Sequence, residues 1–547
     1  SRFLTEVAAL AKGMIAAGVS PGDRVGLMAR TCYEWTLTDF AIWAAGAVTV
    51  PIYETSSAEQ VSWILGDSGA VACFTQSERH TATVASVRGA LPGLRDVWTF
   101  DFGAVDELSA AGAEVPDDEL AARRAALTGE SLATIIYTSG TTGRPKGCEL
   151  THGNFVDVSE NAVELLHEVI KVKGASTLLF LPLAHVFARI IQMACVTARA
   201  RMGHTSDVAN LLDDLAGFRP TFVLAVPRVF EKIYNSSEAK ATASGKGAIF
   251  SAAAATAIAY STALDAGRPS ALLRMRHALM DRLVYAKLRA ALGGQVTHAI
   301  SGGAPLGARL GHFFRGVGIM ILEGYGLTET TAPASINSPD HLRIGTVGRP
   351  LPGVSVRVAD DGEILVRGIN VMRGYFGNGQ ATAEALEDGW FHTGDLGEID
   401  GDGFVRITGR KKEILVTASG KNVAPSVLED RIRAHPLISQ CIVVGDQRPF
   451  VGCLVTLDAE MLPTWLSAHG REPMEVSVAV TDPEVLAEIQ SAVDAANLAV
   501  SKAESIRRFE VLPVDFTEAG GHLTPKQSLK RHVILKEFAA QVEALYR

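Results

Sequence analysis

The chain has 547 residues, too many for a single hydrophobic core, and this length predicts two or more domains. Its hydrophobic content of 47% beside 20% charged residues is ordinary for a globular protein in water. The net charge of −9 argues against a general nucleic-acid-binding protein, which would carry a basic stripe.

The six cysteines are scattered without the spacing of metal ligands, and several lie inside apolar runs. We expect free thiols in a reducing, cytoplasmic compartment rather than disulfides or structural zinc. The chain opens at Ser1 without a methionine or a signal-like apolar run, so we expect some residues to precede it.

Short apolar runs alternate with longer stretches of helical spacing, and this alternation predicts an α/β architecture with largely parallel sheets. Helices are predicted at residues 3–17 and 58–65. Buried strands are predicted at residues 25–29, 71–74, 133–137, 178–181, 222–226 and 296–300.

The loop after the third of these strands, residues 137–147, reads Tyr-Thr-Ser-Gly-Thr-Thr-Gly-Arg-Pro-Lys-Gly. Its glycines let backbone N–H groups approach a phosphate, its hydroxyls donate hydrogen bonds, and Lys146 supplies a positive charge. The spacing differs from a Walker A loop, because Gly147 follows the lysine and Pro145 obstructs a helix directly beneath the phosphates. The loop is therefore a candidate phosphate site, formed by Thr138, Ser139, Gly140, Thr141, Thr142, Gly143 and Lys146.

His185 is a single histidine in the apolar run 181–187. Such a histidine is usually a hydrogen-bonded core residue, so the residues alone leave a structural and a functional role open.

Residues 236–288 hold a long Ala-rich helical segment, which taken alone is a surface insertion. The uncharged part, residues 247–264, is the nearest approach to a membrane span, but alanine, serine and threonine insert poorly into a bilayer. We expect a packed or interfacial helix there and no transmembrane span, and peripheral contact with a membrane stays open.

Two further motifs follow strand-like runs. Residues 301–305, Ser-Gly-Gly-Ala-Pro, are small enough to let a planar base lie against the backbone, although a tight strand-to-helix turn explains them equally well. Residues 324–330, Gly-Tyr-Gly-Leu-Thr-Glu-Thr, should leave the end of a strand, where ligands of open α/β sheets bind. Thr328 offers a hydroxyl to a phosphate, and Glu329 offers a carboxylate to Mg²⁺, a hard cation that prefers oxygen.

From about residue 354 the pattern changes to short strands with glycine turns, at 354–358, 363–367 and 404–408. This predicts a small antiparallel or barrel-like β subdomain. Within it, the block 388–395 ends at Asp395, an acidic residue able to accept hydrogen bonds from ribose hydroxyls.

After Gly-Arg-Lys-Lys at 409–412 the pattern restarts, with strands at 414–417, 441–444 and 452–457 and a helix at 426–434. We place the domain boundary there. The prediction is a large N-terminal domain, 1–409, of parallel-rich α/β subdomains plus the small β subdomain, and a smaller mobile α+β C-terminal domain, 410–547.

These motifs, in this order and over nearly the whole chain, resemble the adenylate-forming superfamily. Within it, residues 51–55, 227–231 and 409–412 are most similar to the long-chain fatty-acid–CoA ligases, which also carry an extra helical region like residues 236–288.

The resemblance implies a role for each motif. By resemblance, Tyr325 stacks on adenine, Thr328 touches the α-phosphate and Glu329 holds Mg²⁺. Asp395 and Arg410 would contact the ribose, and His185 would belong to a gate beside the acyl pocket. The remaining residues assigned to the nucleotide are Gly302, Gly303, Ala304, Gly324, Gly326 and Lys412, with Lys412 also the hinge of the C-terminal domain.

One departure concerns a lysine that the family carries near its C-terminus, three residues before an arginine. Counting back three from Arg531 gives Ser528, and the flanking lysines are Lys526 and Lys530. In an extended segment residues two apart face the same side, so either could reach the adenylate. We favour Lys526, because it follows Pro525, and expect Lys530 to be a surface charge where the final helix begins.

The predicted function is ATP-dependent activation of a fatty acid to an acyl-adenylate, followed by thioester formation with coenzyme A. ATP, Mg²⁺ and coenzyme A are the expected cofactors and co-substrates, no nucleic acid is expected, and no oligomeric state follows from the sequence. Two alternatives stay open: an acyl-adenylate ligase that loads a carrier protein, and a non-catalytic paralogue that binds acyl groups or nucleotides.

Overall fold

The computed structural model describes residues 2–138, 144–207, 210–524 and 528–547. The first part of the chain alternates strands and helices, as the sequence predicts. Its elements are α1 (Arg2–Ala16), β1 (Arg24–Met28), α2 (Tyr33–Ala44), β2 (Val48–Ile52), α3 (Ala58–Ser68), β3 (Ala72–Thr75), α4 (Glu78–Val87), β4 (Asp96–Thr99), α5 (Ala104–Ala111), α6 (Asp117–Ala125), β5 (Leu132–Thr138), β6 (Lys146–Thr151), α7 (His152–Leu165) and α8 (His167–Ile170).

The second part adds another strand–helix series and the helical insertion. Its elements are β7 (Ser176–Leu179), α9 (Val186–Ala198), β8 (Arg201–His204), α10 (Leu211–Phe218), β9 (Phe222–Ala225), α11 (Pro227–Ala243), α12 (Gly247–Asp265), α13 (Ala271–Met280), a π-helical turn at Asp281–Tyr285, α14 (Ala286–Ala291), β10 (His298–Ser301), α15 (Ala308–Val317), β11 (Met320–Leu327), β12 (Ala332–Ile336) and β13 (Arg349–Pro350).

The third part is dominated by short antiparallel strands. It comprises β14 (Val354–Val358), β15 (Glu363–Gly368), β16 (Gly374–Tyr375), α16 (Gly379–Ala385), β17 (Leu386–Glu387), β18 (Trp390–Ile399) and β19 (Val405–Arg410). Four of these strands form the sheet β14-β15-β18-β17, and β19 pairs with β18, which confirms the antiparallel subdomain.

Two larger sheets carry the rest of this region. The seven-stranded sheet has the order β16-β6-β5-β2-β1-β3-β4, with parallel pairing from β5 to β4 and an antiparallel edge at β6 and β16. The five-stranded sheet has the order β13-β12-β11-β10-β9, and β9, β10 and β11 are parallel. The six predicted strands are confirmed to within two residues, whereas β2 and β6 were missed because Pro51 and the charged Lys146 and Glu149 interrupt their patterns.

The last part is a separate α+β layer. It comprises β20 (Leu415–Val416), β21 (Asn422–Val423), α17 (Pro425–Arg433), β22 (Ile438–Val444), β23 (Val451–Leu457), α18 (Leu462–Ala468), α19 (Val476–Ala479), α20 (Pro483–Asn497), β24 (Ile506–Leu512), α21 (Arg531–Glu537) and α22 (Ala539–Ala544). The fully buried strands β22 and β23 pair antiparallel, and β24 joins β23 in parallel.

The contacts between this layer and the preceding ones include ion pairs. Among the described residues, the hydrophobic clusters use either residues up to 407 or residues from 415 onward. The two parts meet through the ion pairs Arg228–Asp458 at 3.2 Å and Lys232–Glu460 at 2.8 Å. Polar interfaces of this kind are typical of domains that move relative to each other.

Helix α12 is long and apolar enough to cross a membrane by length and composition alone. One face of the helix nevertheless packs inside the protein, with Phe250, Ala253 and Ala257 buried. A Cβ at Gly316 of α15 would lie 2.2 Å from the carbonyl oxygen of Ala257, so the two helix backbones are in contact. This agrees with the packed helix expected from its alanine content.

A buried ion pair joins the helices on one side of the seven-stranded sheet. The side chains of Asp39 on α2 and Arg189 on α9 are fully buried, with 2.6 Å between Nη2 and Oδ1. Arg189 also donates to the Thr134 hydroxyl of β5 at 2.8 Å, and the Thr49 hydroxyl of β2 donates to Asp39 at 2.8 Å. Three aromatic rings surround the guanidinium within 5.4 Å of their centroids: Trp35, Trp43 and Phe155.

Replacing Arg189 with Met should lower the free energy of unfolding, measured in urea, by about 3–5 kcal/mol, because Asp39 is left buried without its partner. The double variant Asp39→Leu with Arg189→Met removes both charges and should recover part of that loss. Arg406→Met, at an exposed ion pair with Glu398, is the control and should cost less than about 1 kcal/mol. Equal losses in the single and double variants would contradict this account.

Candidate functional site

The candidate site lies where strands of the two large sheets end. Strand β5 ends at Thr138, and the parallel pairing of β10 with β11 ends at Ser301 and Glu323. Ligands of open α/β sheets bind at such carboxyl ends. Ser139, Gly140, Thr141, Thr142 and Gly143, assigned to the phosphate loop, lie outside the described residues.

Both ends of the phosphate loop are fixed by neighbouring elements. Thr138 and Lys146 are partners across the antiparallel pair β5–β6, and a strand rather than a helix follows the loop, as Pro145 predicts. The indole of Trp63 on α3 donates to the Pro145 carbonyl at 2.9 Å. The Arg144 guanidinium lies 4.8 Å from the centroid of the same indole ring.

Lys146 and Glu329, predicted from separate motifs, are brought together by a tyrosine that the sequence did not reveal. The Lys146 ammonium lies 4.9 Å from the ring centroid of Tyr375, and the Tyr375 hydroxyl donates to Glu329 Oε1 at 3.1 Å. Burial, followed by the nearby Glu329 carboxylate, raises the pKa of Tyr375, so its hydroxyl stays a donor. Tyr375 lies in the two-residue strand β16, which joins β6 from more than two hundred residues away, and no local periodicity marks it.

Thr328 and Glu329 lie in a single helical turn, Thr328–Thr330, between β11 and β12. Thr331 and Ala332 follow with φ of 48° and 70°, a conformation that is uncommon outside glycine. A Cβ at Gly326 would lie 1.5 Å from the carbonyl oxygen of Ala332, so only glycine fits there. The turn is therefore held in a tight, strained reversal.

The motif 324–327 does not leave a strand end, which corrects the expectation from sequence. Strand β11 continues through Gly324, Tyr325 and Gly326 to Leu327, because β12 pairs with this half in antiparallel register. The change of partner, from β10 to β12, was invisible in the apolar pattern.

Tyr325, Asp395 and Arg410 form one hydrogen-bonded group. The Tyr325 hydroxyl donates to Asp395 Oδ2 at 2.7 Å, and Arg410 Nε lies 2.8 Å from Oδ1. Asp395 is only 3% exposed, and it faces Arg410 in the register of β18 and β19. Burial and the Asp395 charge raise the pKa of Tyr325 well above its usual range, so the hydroxyl stays protonated. Both carboxylate oxygens thus carry a protein hydrogen bond, and ribose would share their remaining lone pairs.

The segment 302–304 lies against this group. A Cβ built at Gly302 would be 3.4 Å from the carbonyl oxygen of Gly324 and 3.3 Å from the ring of Phe187. Gly303, with φ of +84°, and Ala304 continue the turn after β10. A planar group entering here would meet backbone on one side and Phe187 on the other.

His185 is the N-cap of α9. Its Nδ1 accepts the backbone N–H of Phe187 at 3.1 Å, so the neutral ring carries its proton on Nε2. The histidine therefore has a structural role at the start of a helix whose next residues reach Gly302.

The C-terminal lysines are only partly described. Lys412 is exposed in the turn Lys411–Glu413, and Lys526 lies outside the described residues. Lys530 is the N-cap of α21, and its backbone N–H donates to the His522 carbonyl at 2.7 Å, so the final helix begins at Arg531 as expected. The Thr524 N–H donates to the Ser528 carbonyl at 2.9 Å.

A contact near this tail reaches the N-terminal part of the chain. The Thr55 hydroxyl donates to Glu518 Oε1 at 2.5 Å. Thr55 closely follows β2, which lies beside β5 in the same sheet and runs parallel to it. The C-terminal tail therefore meets the sheet edge from which the phosphate loop leaves.

Acidic side chains gather where α17 meets the end of β11. Glu323 Oε1 accepts the Leu306 N–H at 2.9 Å. Burial, together with the nearby charge of Asp430, raises the pKa of Glu323 to about 7. Burial likewise raises the pKa of Asp430 to about 6, although Arg433 opposes the shift.

No group of three or more His, Cys, Asp or Glu side chains suited to a metal ion occurs in the described parts of the chain. The Mg²⁺ site predicted from sequence does not require such a group, since proteins usually bind Mg²⁺ through one or two carboxylates, with water and substrate phosphates as the other ligands. Glu329, whose carboxylate accepts from the hydroxyl of the same Tyr375 side chain that Lys146 contacts, stays the predicted Mg²⁺ ligand.

Comparisons with known proteins extend over the whole chain. The AMP-binding enzyme family matches residues 1–376, and the AMP-binding enzyme C-terminal domain matches residues 412–547. The chain is 56% identical to the long-chain-fatty-acid–CoA ligase FadD15 of Mycobacterium bovis over 545 residues, which cover 99% of this chain and 91% of that one.

Two solved structures share the fold. The adenylation domain of a carboxylate reductase from Mycobacterium chelonae aligns with a TM-score of 0.75 at 23% identity, over 100% of this chain and 83% of that one. The o-succinylbenzoate CoA synthetase of Bacillus subtilis, in complex with ATP and a magnesium ion, aligns with a TM-score of 0.68 at 20% identity. The alignment covers 97% of this chain and 93% of that one.

The raised pKa of Glu323 predicts a stability that depends on pH. The folded chain keeps this proton up to about pH 7, whereas the unfolded chain releases it above the ordinary value of 4.5. The folded state binds more protons between these values, so the free energy of unfolding should fall as pH rises from about 4.5 to about 7. Urea unfolding across that range should show a shallower fall for Glu323→Gln, which is neutral throughout, and identical slopes would contradict the assignment.

Proposed function

The chain belongs to the AMP-binding enzyme family, and on this premise we propose that it is an ATP-dependent long-chain fatty-acid–CoA ligase. The observation that carries the proposal is the 56% identity to a long-chain-fatty-acid–CoA ligase over nearly the full length of both chains. The family and the fold class predicted from the motifs are confirmed.

The reaction has two steps at one site. A carboxylate oxygen of the fatty acid attacks the α-phosphorus of ATP, and the bond to pyrophosphate breaks. The sulfur of coenzyme A then attacks the acyl carbon, its proton is lost, and AMP leaves. The first step depends on positioning and on neutralising phosphate charge rather than on a side-chain nucleophile.

Lys146 and Glu329 are the proposed phosphate residues. Their shared contact with Tyr375 supports this, because it holds an ammonium and a carboxylate at the exit of β5. Glu329 would hold Mg²⁺, which supplies positive charge at the phosphates when bound. Thr328, on the same strained turn, would direct its hydroxyl to the α-phosphate, and the loop hydroxyls and glycines would hold the other phosphates.

Tyr325 would stack on the adenine, with its ring orientation fixed by the bond to Asp395. Asp395 and Arg410 would contact the ribose, and Gly302, Gly303 and Ala304 would form one wall of the base pocket. The 3.3 Å separation between Phe187 and the Cβ position of Gly302 supports placing the acyl group beside the start of α9. His185 would act there by fixing the first turn of that helix.

We propose a domain boundary at residues 409 and 410, with Lys412 at the hinge. The polar contacts across the boundary support a C-terminal domain that moves between the two half-reactions. Lys412→Pro would fix one φ angle at the hinge and should spare adenylation while slowing thioester formation. Equal loss of both half-reactions would argue against a hinge at this residue.

We place the enzyme in the cytoplasm, where ATP and coenzyme A are available. All six cysteines are free thiols, and five of them are buried, as expected in a reducing compartment.

The function is tested by measuring pyrophosphate and AMP release with acids of increasing chain length, with and without coenzyme A. A long-chain ligase forms acyl-adenylate and pyrophosphate with a long-chain acid alone, and it releases AMP in repeated turnovers only when coenzyme A is also present. Acyl-adenylate that accumulates and transfers only to a carrier protein would favour the carrier-loading alternative. Absence of ATP–pyrophosphate exchange would favour a non-catalytic paralogue.

Glu329→Gln should reduce ATP–pyrophosphate exchange by about 10²–10³-fold, because the amide keeps the shape of the side chain but loses its charge for Mg²⁺. Glu384→Gln, on the exposed face of α16, is the matched control and should leave exchange unchanged. Near-normal exchange by the Glu329 variant at saturating Mg²⁺ would remove the residue from this role.

Lys526→Ala should slow adenylation far more than it slows transfer from a supplied acyl-adenylate to coenzyme A. The reason is that an ammonium on this tail would neutralise charge only in the first step. Lys530→Ala is the natural control, because Lys530 caps a helix through its backbone. The reverse ranking would transfer the role to Lys530, and two active variants would mean that neither lysine is needed.

A further inference from the structure

Helix α13 presents a row of apolar side chains to water. No residue of Ala271–Met280 is buried. Leu272, Met275, Leu279 and Leu283 are 76%, 71%, 55% and 45% exposed. Their spacing of three or four residues places them on one helical face. Single exposed apolar residues are common, but a contiguous row marks an interaction surface.

Five cations accompany this row. Arg268, Arg274, Arg276, Arg282 and Lys287 are exposed. Among the described residues, none of them has an acidic partner within ion-pair distance.

The acidic groups of the same segment are already engaged. Asp281 pairs with Arg289 at 2.7 Å, and Asp265 pairs with Arg315. The exposed surface of this segment is therefore locally basic on a chain whose net charge is −9.

The inner side of the helix is held firmly, so the outward orientation of the row is fixed. The His277 ring stacks on Tyr260 at 3.9 Å, and its Nε2 donates to the Gly316 carbonyl at 2.6 Å. Tyr285 is buried and donates to the Ala253 carbonyl at 2.7 Å. These contacts attach α13 and the following turn to α12 and α15.

We propose that this face of the helix, with its apolar row and the flanking Arg276 and Arg282, each three residues from Leu279, docks on an anionic lipid surface. Leucine and methionine side chains enter the boundary between headgroups and acyl chains, and arginines beside them bind phosphate headgroups. This combination is the one that an amphipathic interfacial helix uses, whereas a nucleic acid would use the cations and leave the apolar row in water.

A second copy of the chain is a poor occupant for the same face. Symmetric dimers bring the same surface of both subunits together, which would place the flanking arginines of one copy against those of the other. Negatively charged lipid complements both properties of the face. Docking would bring the enzyme to long-chain acids, which partition into bilayers, and this benefit rests on the proposed function. The docking itself depends only on the surface of the helix.

The test is sedimentation of the full chain with vesicles of phosphatidylcholine alone and with vesicles that also contain phosphatidylglycerol. Binding should require phosphatidylglycerol and weaken as salt is raised. The variants Leu272→Ser with Leu279→Ser, and Arg276→Glu with Arg282→Glu, should each reduce partitioning by about tenfold or more. Thermal melting of each variant checks that it remains folded.

The matched controls lie on the C-terminal domain. Leu498→Ser changes a leucine that is 89% exposed, Arg507→Glu changes an exposed arginine, and both variants should bind vesicles like the unmodified chain. The proposal is overturned if the unmodified chain does not bind, or if the helix variants bind as well as the controls. A dimer in sedimentation velocity that only the helix variants dissociate would assign the face to a second copy and overturn it too.

Discussion

The buried pair of Asp39 and Arg189 is the interaction on which the arrangement of the site depends. Taking two charges out of water is unfavourable unless the geometry is good and the remaining hydrogen-bonding groups are satisfied. Here the threonine hydroxyls of β2 and β5 complete the pair, so four elements share one polar contact. Strand β5 leads into the phosphate loop, and α9 begins at His185. One ion pair thus fixes the end of β5 relative to the start of α9.

The candidate site is assembled from segments distant in sequence, which contact each other both within and between sheets. Lys146 and Glu329 meet through Tyr375, and Tyr325 meets Arg410 through Asp395. A tight reversal after Glu329 keeps the turn in place, since Gly326 leaves no room for a side chain. The result is a site whose charges are oriented before any substrate arrives, and such preorganisation is the main source of electrostatic catalysis.

Much of this was accessible from sequence because motifs and apolar runs are local signals. The buried parallel strands are recognisable as short runs of valine, isoleucine and leucine, and the hydroxyl-rich loop directly follows one of them. Tyr375 was missed because a strand of two residues is too short to show an alternation of apolar and polar residues. The continuation of β11 was missed because a strand that changes its pairing partner shows no change in its own sequence pattern. The partner of Asp395 was missed because register, not composition, puts Arg410 opposite it.

The ion pairs between the part up to residue 407 and the part from residue 415 make their association sensitive to salt. Lys232 and Glu460 are 61% and 76% exposed, so dissolved ions surround their bridge, and Arg228 with Asp458 is only partly shielded. Coulomb attraction between such groups fades over roughly 8 Å at physiological ionic strength. The apolar clusters of each part, by contrast, are insensitive to modest salt. Potassium and chloride concentrations should therefore change how long the two parts stay together while leaving each part folded.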